Sequence, residues 1–281
     1  MRIAITGAGG GLGRAFAERA PAHHDLHPFS HEELAVEDLD AVMQTLVPLA
    51  PDAILHTAAM TAVDACEADE AAAFRANATG SRNVALAARA TGARLLAVST
   101  DYVFDGAKGA PYHEFDTPNP LSVYGRSKLA GEEAVRTLMP ESYVVRTAWV
   151  FGAGGDFVTG AISKLANGEP AAGIVDLHGT PTYVHHLAER LLPVLSSGRF
   201  GTFHLGGPER VSFHELLARA QRLGELPGEL AEQKAGDLDR PAPRPMDSSL
   251  TSLVAAEAGV PPMPPLDEAL ADLLERVRGD G

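Results

Sequence analysis

Cysteine is almost absent: Cys66 is the only one in 281 residues, so no disulfide forms within the chain and a reducing compartment is expected. Basic residues are scarce too. There are 23 Lys and Arg against 37 Asp and Glu, a formal charge of −14, and no basic cluster stands out. That argues against a nucleic-acid groove or an anionic membrane surface as partner. Long apolar runs are missing, none approaching the roughly 18 residues of a membrane span. The opening MRIAITGAGG is a strand running into glycines, without the basic, apolar and small-residue regions of a secretory signal. What is present is ordinary for a folded domain: 45% hydrophobic and 21% charged residues, with length for a sizeable core. The expectation is a cytoplasmic enzyme with no nucleic-acid and no membrane partner.

The first half alternates short apolar runs with amphipathic stretches, the pattern of a parallel sheet covered by helices. Strands are predicted at Arg2–Thr6, Ala53–Thr57, Leu95–Ser99 and Tyr143–Val150, with helices over 12–20, 39–49, 70–91 and 122–138. Asp38 precedes LDAVMQTL as a helix N-cap. After residue 150, glycines at 152, 154, 155 and 160 and then Gly168-Glu169-Pro170 mark loops and turns. Helices follow at 185–196 and 212–223, a short strand at 201–205, and a last helix at about 266–278. Seven of the 20 prolines fall between 241 and 265, predicting extended loop there.

Three signals carry chemistry. GAGGGLG places Gly7, Gly10 and Gly13 three apart, directly after a strand and opening a helix. Glycine lets the backbone turn sharply and approach a pyrophosphate, while the helix start offers free N–H groups. At the first strand–helix junction this reads as a dinucleotide site. In SVYGRSKLAGE, Tyr124 and Lys128 lie four apart, on one helical face. An ammonium there lowers a phenol pKa and makes it a usable acid or base; alone, the pair is a weak signal. STDYVFDG sits where the run LLAVS ends, and ligands bind outside the carboxyl ends of parallel strands. Thr100 is thus placed to donate to a reacting oxygen, although by itself the run reads as a polar turn.

Together these resemble the extended short-chain dehydrogenase/reductases that act on nucleotide sugars. TAVDACE (61–67), the Asn77 region, STDYVFDG, PLSVYGRSKLAGE (120–132), VVRTAWVFG (144–152), DLHGTPT (176–182) and RPMDSSL (244–250) occur in that order. Spread over nearly the whole chain, they are similar to the dTDP-4-dehydrorhamnose reductase family. The resemblance implies an α/β, Rossmann-type doubly wound parallel sheet with a smaller C-terminal substrate-binding domain. Residues 1–150 would bind the dinucleotide, with about 183–205 returning to that domain, and 151–281 would mainly bind the sugar nucleotide. NADPH or NADH would be the cofactor and a dTDP-4-keto-6-deoxyhexose the substrate, with a homodimer as the candidate assembly.

Carried over by position, Tyr124 would donate the proton to the C4 carbonyl oxygen. Lys128 would hold the nicotinamide ribose and tune Tyr124, and Thr100 would orient the ketone. Gly7, Gly10, Gly11, Leu12 and Gly13 would face the dinucleotide phosphates, and Ala58, Ala59 and Thr61 its nicotinamide side. Thr61, Val63, Asp101, Tyr102 and Trp149 would line the sugar, Trp149 as a flat apolar wall. With the catalytic set complete, a non-catalytic regulatory subunit of the same fold is the weaker reading, as is an epimerase. A dehydratase would carry Thr-Asp-Glu where this chain has Thr100-Asp101-Tyr102.

Some positions depart from the family pattern. HDLHPFSHEEL lacks a clean acidic residue or Arg to choose between NADH and NADPH. Ala35 replaces the usual Asp of the LAVED run, Leu177 a usual Gln, and Ser249 a common basic residue that could help bind a substrate phosphate. The histidines at 23, 24, 27 and 31 lack the spacing of a zinc pair, and no metal site is expected. His185-His186 is expected to start a surface helix, and Cys66 to be inert. Asp64 and Glu67 are read as surface carboxylates, with a cation at a dimer contact as the minor alternative.

Overall fold

A computed structural model of the protein describes residues 1–279. In chain order it begins β1 (Arg2–Thr6), α1 (Gly11–Arg19), β2 (Asp25–Phe29), α2 (Leu39–Leu49) and β3 (Ala53–His56). Next come α3 (Val63–Ala68), α4 (Glu70–Phe74), α5 (Gly80–Thr91), β4 (Arg94–Thr100), α6 (Val123–Leu138) and β5 (Tyr143–Thr147). The remainder is β6 (Val150–Phe151), α7 (Phe157–Ala166), β7 (Ala171–Ile174), β8 (His178–Gly179), β9 (Thr182–Tyr183), α8 (Val184–Ser196), β10 (Gly201–His204), β11 (Val211–Ser212), α9 (Phe213–Gly224), β12 (Leu230–Gln233) and α10 (Leu266–Gly279).

Six strands form one parallel sheet, ordered β10-β5-β4-β3-β1-β2. This is the Rossmann-type sheet the sequence suggested. β2 lies on one side of β1 and β3 on the other, so the strand order reverses there and opens a crevice at the carboxyl ends. Both faces are covered, which is why the strands read as near-continuous apolar runs. Ile3 and Ile5 pack with Phe16, Leu187 and Leu191 of α1 and α8. Ala4 and Ile54 pack on the other side with Val42, Leu46 and Val84 of α2 and α5. A separate apolar cluster joins α7, α9 and α10 through Ile162, Leu165, Leu217, Leu270 and Leu273, beside the parallel pair β7–β12. Asp38 caps α2, accepting from the Ala41 N–H at 3.1 Å.

Four local differences from the sequence reading have physical causes. The expected helix 70–91 is interrupted by a π turn over Arg75–Thr79. There the buried Asn77 accepts from the Met60 N–H (2.8 Å) and donates to the Met60 carbonyl and Ser127 Oγ, tying the helix to the loop after β3 and to α6. The strand from Tyr143 stops at Thr147 rather than Val150, because Trp149 turns into the left-handed region at φ +46°. The glycine-flanked stretch after 152 contains a full helix, α7, started by the Asp156 carboxylate accepting from the Thr159 N–H. His185 does begin a helix, but it is buried rather than on the surface.

Candidate active site

The crevice at the switch point continues into a cavity of about 990 Å³, at the upper end of small-molecule clefts, roughly 300–1,000 Å³. One end is the glycine-rich loop. Gly7 takes φ +75°, and a Cβ there would stand 2.5 Å from the Ala58 backbone, so only glycine lets β1 and the chain after β3 meet this closely. The loop leads into α1, whose first N–H groups and dipole favour phosphate. A dinucleotide fits this cradle: Gly7, Gly10, Gly11, Leu12 and Gly13 line it, with Ala58 and Ala59 beside them.

The middle of the cavity is built by α6 and the end of β4. Ser122 caps α6 by accepting from the Gly125 N–H at 3.2 Å, and one turn separates Tyr124 from Lys128. Both line the cavity with Thr100. Lys128 is buried and donates through Nζ to the Val98 carbonyl at 2.8 Å. Burial lowers its pKa to about 8, against the raising influence of Glu132. Burial also pushes the Tyr124 phenol above its ordinary value, with the Thr100 hydroxyl pulling the other way. No lowering by Lys128 offsets this, so the expected shift of Tyr124 toward neutrality is not seen and the phenol stands protonated at neutral pH.

Asp101, directly after Thr100, is buried. Burial raises its pKa to about 6 even though Ser248 and Thr100 donate to it. Ser248 lies 147 residues away in the proline-rich strap. Two residues carry the strap to α3: Asp64 accepts from Arg244 (2.7 and 3.1 Å) and from the Ala242 N–H. Asp64, its side chain 42% exposed, thus holds the strap from the surface, and Glu67 accepts from the Val123 N–H at the start of α6. Among the described residues no three His, Cys, Asp or Glu side chains gather as metal ligands.

Thr61, Val63, Tyr102 and Trp149 line the same cavity. Tyr102 packs edge-on against Tyr124, ring centres 5.6 Å apart. Trp149 is not the open flat wall the sequence suggested, because Phe213 stacks on one face with centres 3.7 Å apart and planes 6° apart. All fifteen candidate residues border this one cavity.

The chain is similar throughout to proteins of one family. The model of the RmlD substrate binding domain matches residues 1–278. A dTDP-4-dehydrorhamnose reductase of Mycobacterium tuberculosis is 40% identical over 97% of this chain and 92% of its own. The chain belongs to the dTDP-4-dehydrorhamnose reductase family.

A probable dTDP-4,6-dihydroxy-2-methyloxan-3-one 4-ketoreductase of Streptomyces antibioticus is 37% identical, covering 89% of this chain and 86% of its own. The dTDP-4-dehydrorhamnose reductase of Bacillus anthracis, solved in complex with NADP, superposes with a TM-score of 0.94 at 32% identity, covering 98% and 99% of the two chains. Against this background the reductase fold explains which cavity residues sequence reasoning missed. Arg75, Val36, Glu37, Phe157 and Phe213 also border the cavity. Phe213 had one local signal, the capping box of Ser212 and Glu215 that opens α9, but nothing local points its ring at Trp149.

Proposed function

We propose that the protein reduces the C4 ketone of a dTDP-4-keto-6-deoxyhexose, forming dTDP-L-rhamnose or a related deoxysugar. The observation that carries this reading is the convergence of Thr100, Tyr124 and Lys128 on one cavity that also takes in the glycine-rich loop. NADPH or NADH held by the glycine loop supplies the hydride. Lys128 binds the nicotinamide ribose with its ammonium, charged below about pH 8. Tyr124 holds its proton at the phenol oxygen and gives it to the ketone oxygen, a general-acid role. Thr100 fixes the ketone by a hydrogen bond, and Thr61, Val63, Asp101, Tyr102 and Trp149 line the sugar.

The complete catalytic set supports this over a regulatory subunit of the same fold. A lone cysteine, Cys66, fits a reducing, cytoplasmic setting, and its burial, with the thiol pushed up by desolvation and by Glu67, fits an inert role. A homodimer belongs to the same proposal and is read from the mass in solution.

The test pairs the protein with NADPH and with NADH in turn and offers dTDP-4-dehydrorhamnose and other dTDP-4-keto-6-deoxyhexoses. Consumption of reduced nicotinamide with formation of the C4 alcohol, identified by mass and NMR, is expected. Failure to consume either dinucleotide with any of these sugars would refute the reading.

A further inference from the structure

The Trp149 indole is clamped on both faces. Phe213 lies parallel to it at 3.7 Å. A Cβ built on Gly179 would stand 2.5 Å from Cε2 and 2.8 Å from Cδ2 and Cζ2 of the same indole. Cε2 and Cδ2 are ring-fusion atoms whose in-plane neighbours all belong to the indole, so an approach this close comes from above the plane. Phe213 already fills one face and is not among the atoms nearest that Cβ. Gly179 therefore covers the opposite face, and its missing side chain is the space the indole occupies.

Both jaws hang from one short ladder. β8 pairs antiparallel with β11, Gly179 opposite Val211, and Phe213 follows immediately at the start of α9. Phe157 closes on Phe213 edge-on, 5.3 Å away at 82°. Trp149 itself holds φ +46°, a strained backbone for a non-glycine residue that persists where its surroundings impose it. Its carbonyl accepts from the Thr182 N–H at 3.3 Å. Strand end, ladder and helix start all converge on one ring orientation.

We infer that Trp149 meets the sugar with its edge, and that Gly179 and Phe213 are the positioning residues that set where that edge stands. With both faces occupied, no pyranose can stack on the indole. The rim is what remains to line the cavity, and an aromatic rim carries partial positive charge. It suits hydroxyl and carbonyl oxygens of a hexose and is indifferent to an apolar sugar face. The inference rests on the reductase reading; the clamp itself is read without substrate.

The test uses Phe213→Ala, which removes one jaw, Gly179→Ala, which drives a methyl into the ring, and Phe213→Tyr, which keeps the stack. Trp149 is the only tryptophan, so acrylamide quenching of its emission reports the clamp in the ligand-free protein. Quenching should rise in Phe213→Ala and stay near wild type in Phe213→Tyr. In both alanine variants KM for the dTDP-4-keto sugar should rise roughly five- to tenfold, the size of one lost aromatic contact. The same variants should hold kcat, and the NADPH Kd from direct titration, within about twofold. Phe213→Tyr should restore the wild-type KM. Altered quenching with an unchanged sugar KM in Phe213→Ala overturns the inference, as does an equal rise in sugar KM and NADPH Kd. If Gly179→Ala does not fold, Phe213→Ala decides alone. A wild-type protein inactive on every such sugar overturns the reductase reading, and this inference with it; an active wild type separates the two failures.

Discussion

Removing the Glu132 carboxylate should unfold more of this protein than removing any exposed charge. Glu132 lies one turn beyond Lys128 on α6, its side chain 2% exposed. It accepts from Ser99 Oγ (2.5 Å), Arg146 Nε (2.9 Å) and Nη2 (2.7 Å), and Arg136 Nη1 (3.0 Å). Arg136 is 35% exposed and can turn to water. Arg146 cannot: its side chain is 3% exposed, lodged against His204 and the Phe104 ring. Glu132→Ala leaves that guanidinium buried and uncompensated, at a cost of about 3–5 kcal/mol, a large part of a typical stability of roughly 5–15 kcal/mol.

The double variant Glu132→Leu, Arg146→Met removes both charges and fills the space with apolar side chains, so it should cost less than Glu132→Ala alone. Urea unfolding at pH 7, followed by circular dichroism, measures all three proteins. The pH dependence has a definite sign. Burial raises the Glu132 pKa, but the hydrogen bonds and charge of Arg146 outweigh it and hold the carboxyl below its ordinary range. Its contribution is therefore present above the unfolded pKa and lost as pH falls through the lower folded value. A Glu132→Ala protein within about 1 kcal/mol of wild type, or a double variant no better than the single, would refute the reasoning.

Tyr124→Phe should lower the hydride-transfer rate roughly 10²–10⁴-fold with dinucleotide affinity intact; retention of a third of the wild-type rate in single-turnover kinetics would exclude Tyr124 as proton donor. Lys128, charged below about pH 8, should hold the dinucleotide more tightly below that pH than above it. Lys128→Met should bind weakly at every pH, and a wild-type Kd flat from pH 6 to about 9 would argue against a ribose-binding ammonium. Asp101 has its folded pKa raised to about 6 by burial, so its contribution is lost as pH climbs from the unfolded value toward 6. Asp101→Asn should therefore gain on wild type over that window by on the order of 3 kcal/mol and then level off; parallel stability curves would show that burial does not control this carboxyl.

How much was legible follows from how local each feature is. The glycine loop, the Tyr124–Lys128 spacing and the Thr100 strand end are read within a few residues, because strand, turn and helix geometry place neighbours on a known face. The π turn at Asn77 was not legible, since it depends on hydrogen bonds from Asn77 to Met60 and Ser127. α7 was hidden because its flanking glycines read as loop, while a single Asp156 side chain starts it. The apparent loss of a basic residue at Ser249 was read without knowing the strap's path. Ser249 is buried and bonds to Asp247, whereas Arg244 and Ser248 reach α3 and Asp101.

By itself, then, the sequence determined the alternation of strands and helices through much of the first half, the glycine turn at the end of β1 and the shared face of Tyr124 and Lys128 on α6, all set by dihedral preference and periodicity over short spans. Only the tertiary structure decided what those groups are chemically. Burial, which no window of sequence contains, raises the Tyr124 phenol above its ordinary value and brings the Lys128 ammonium down to about 8. Likewise the indole of Trp149 is turned edge-on by Gly179 and Phe213, 30 and 64 positions further along the chain, because packing between distant segments fixes a ring's orientation and local propensity does not.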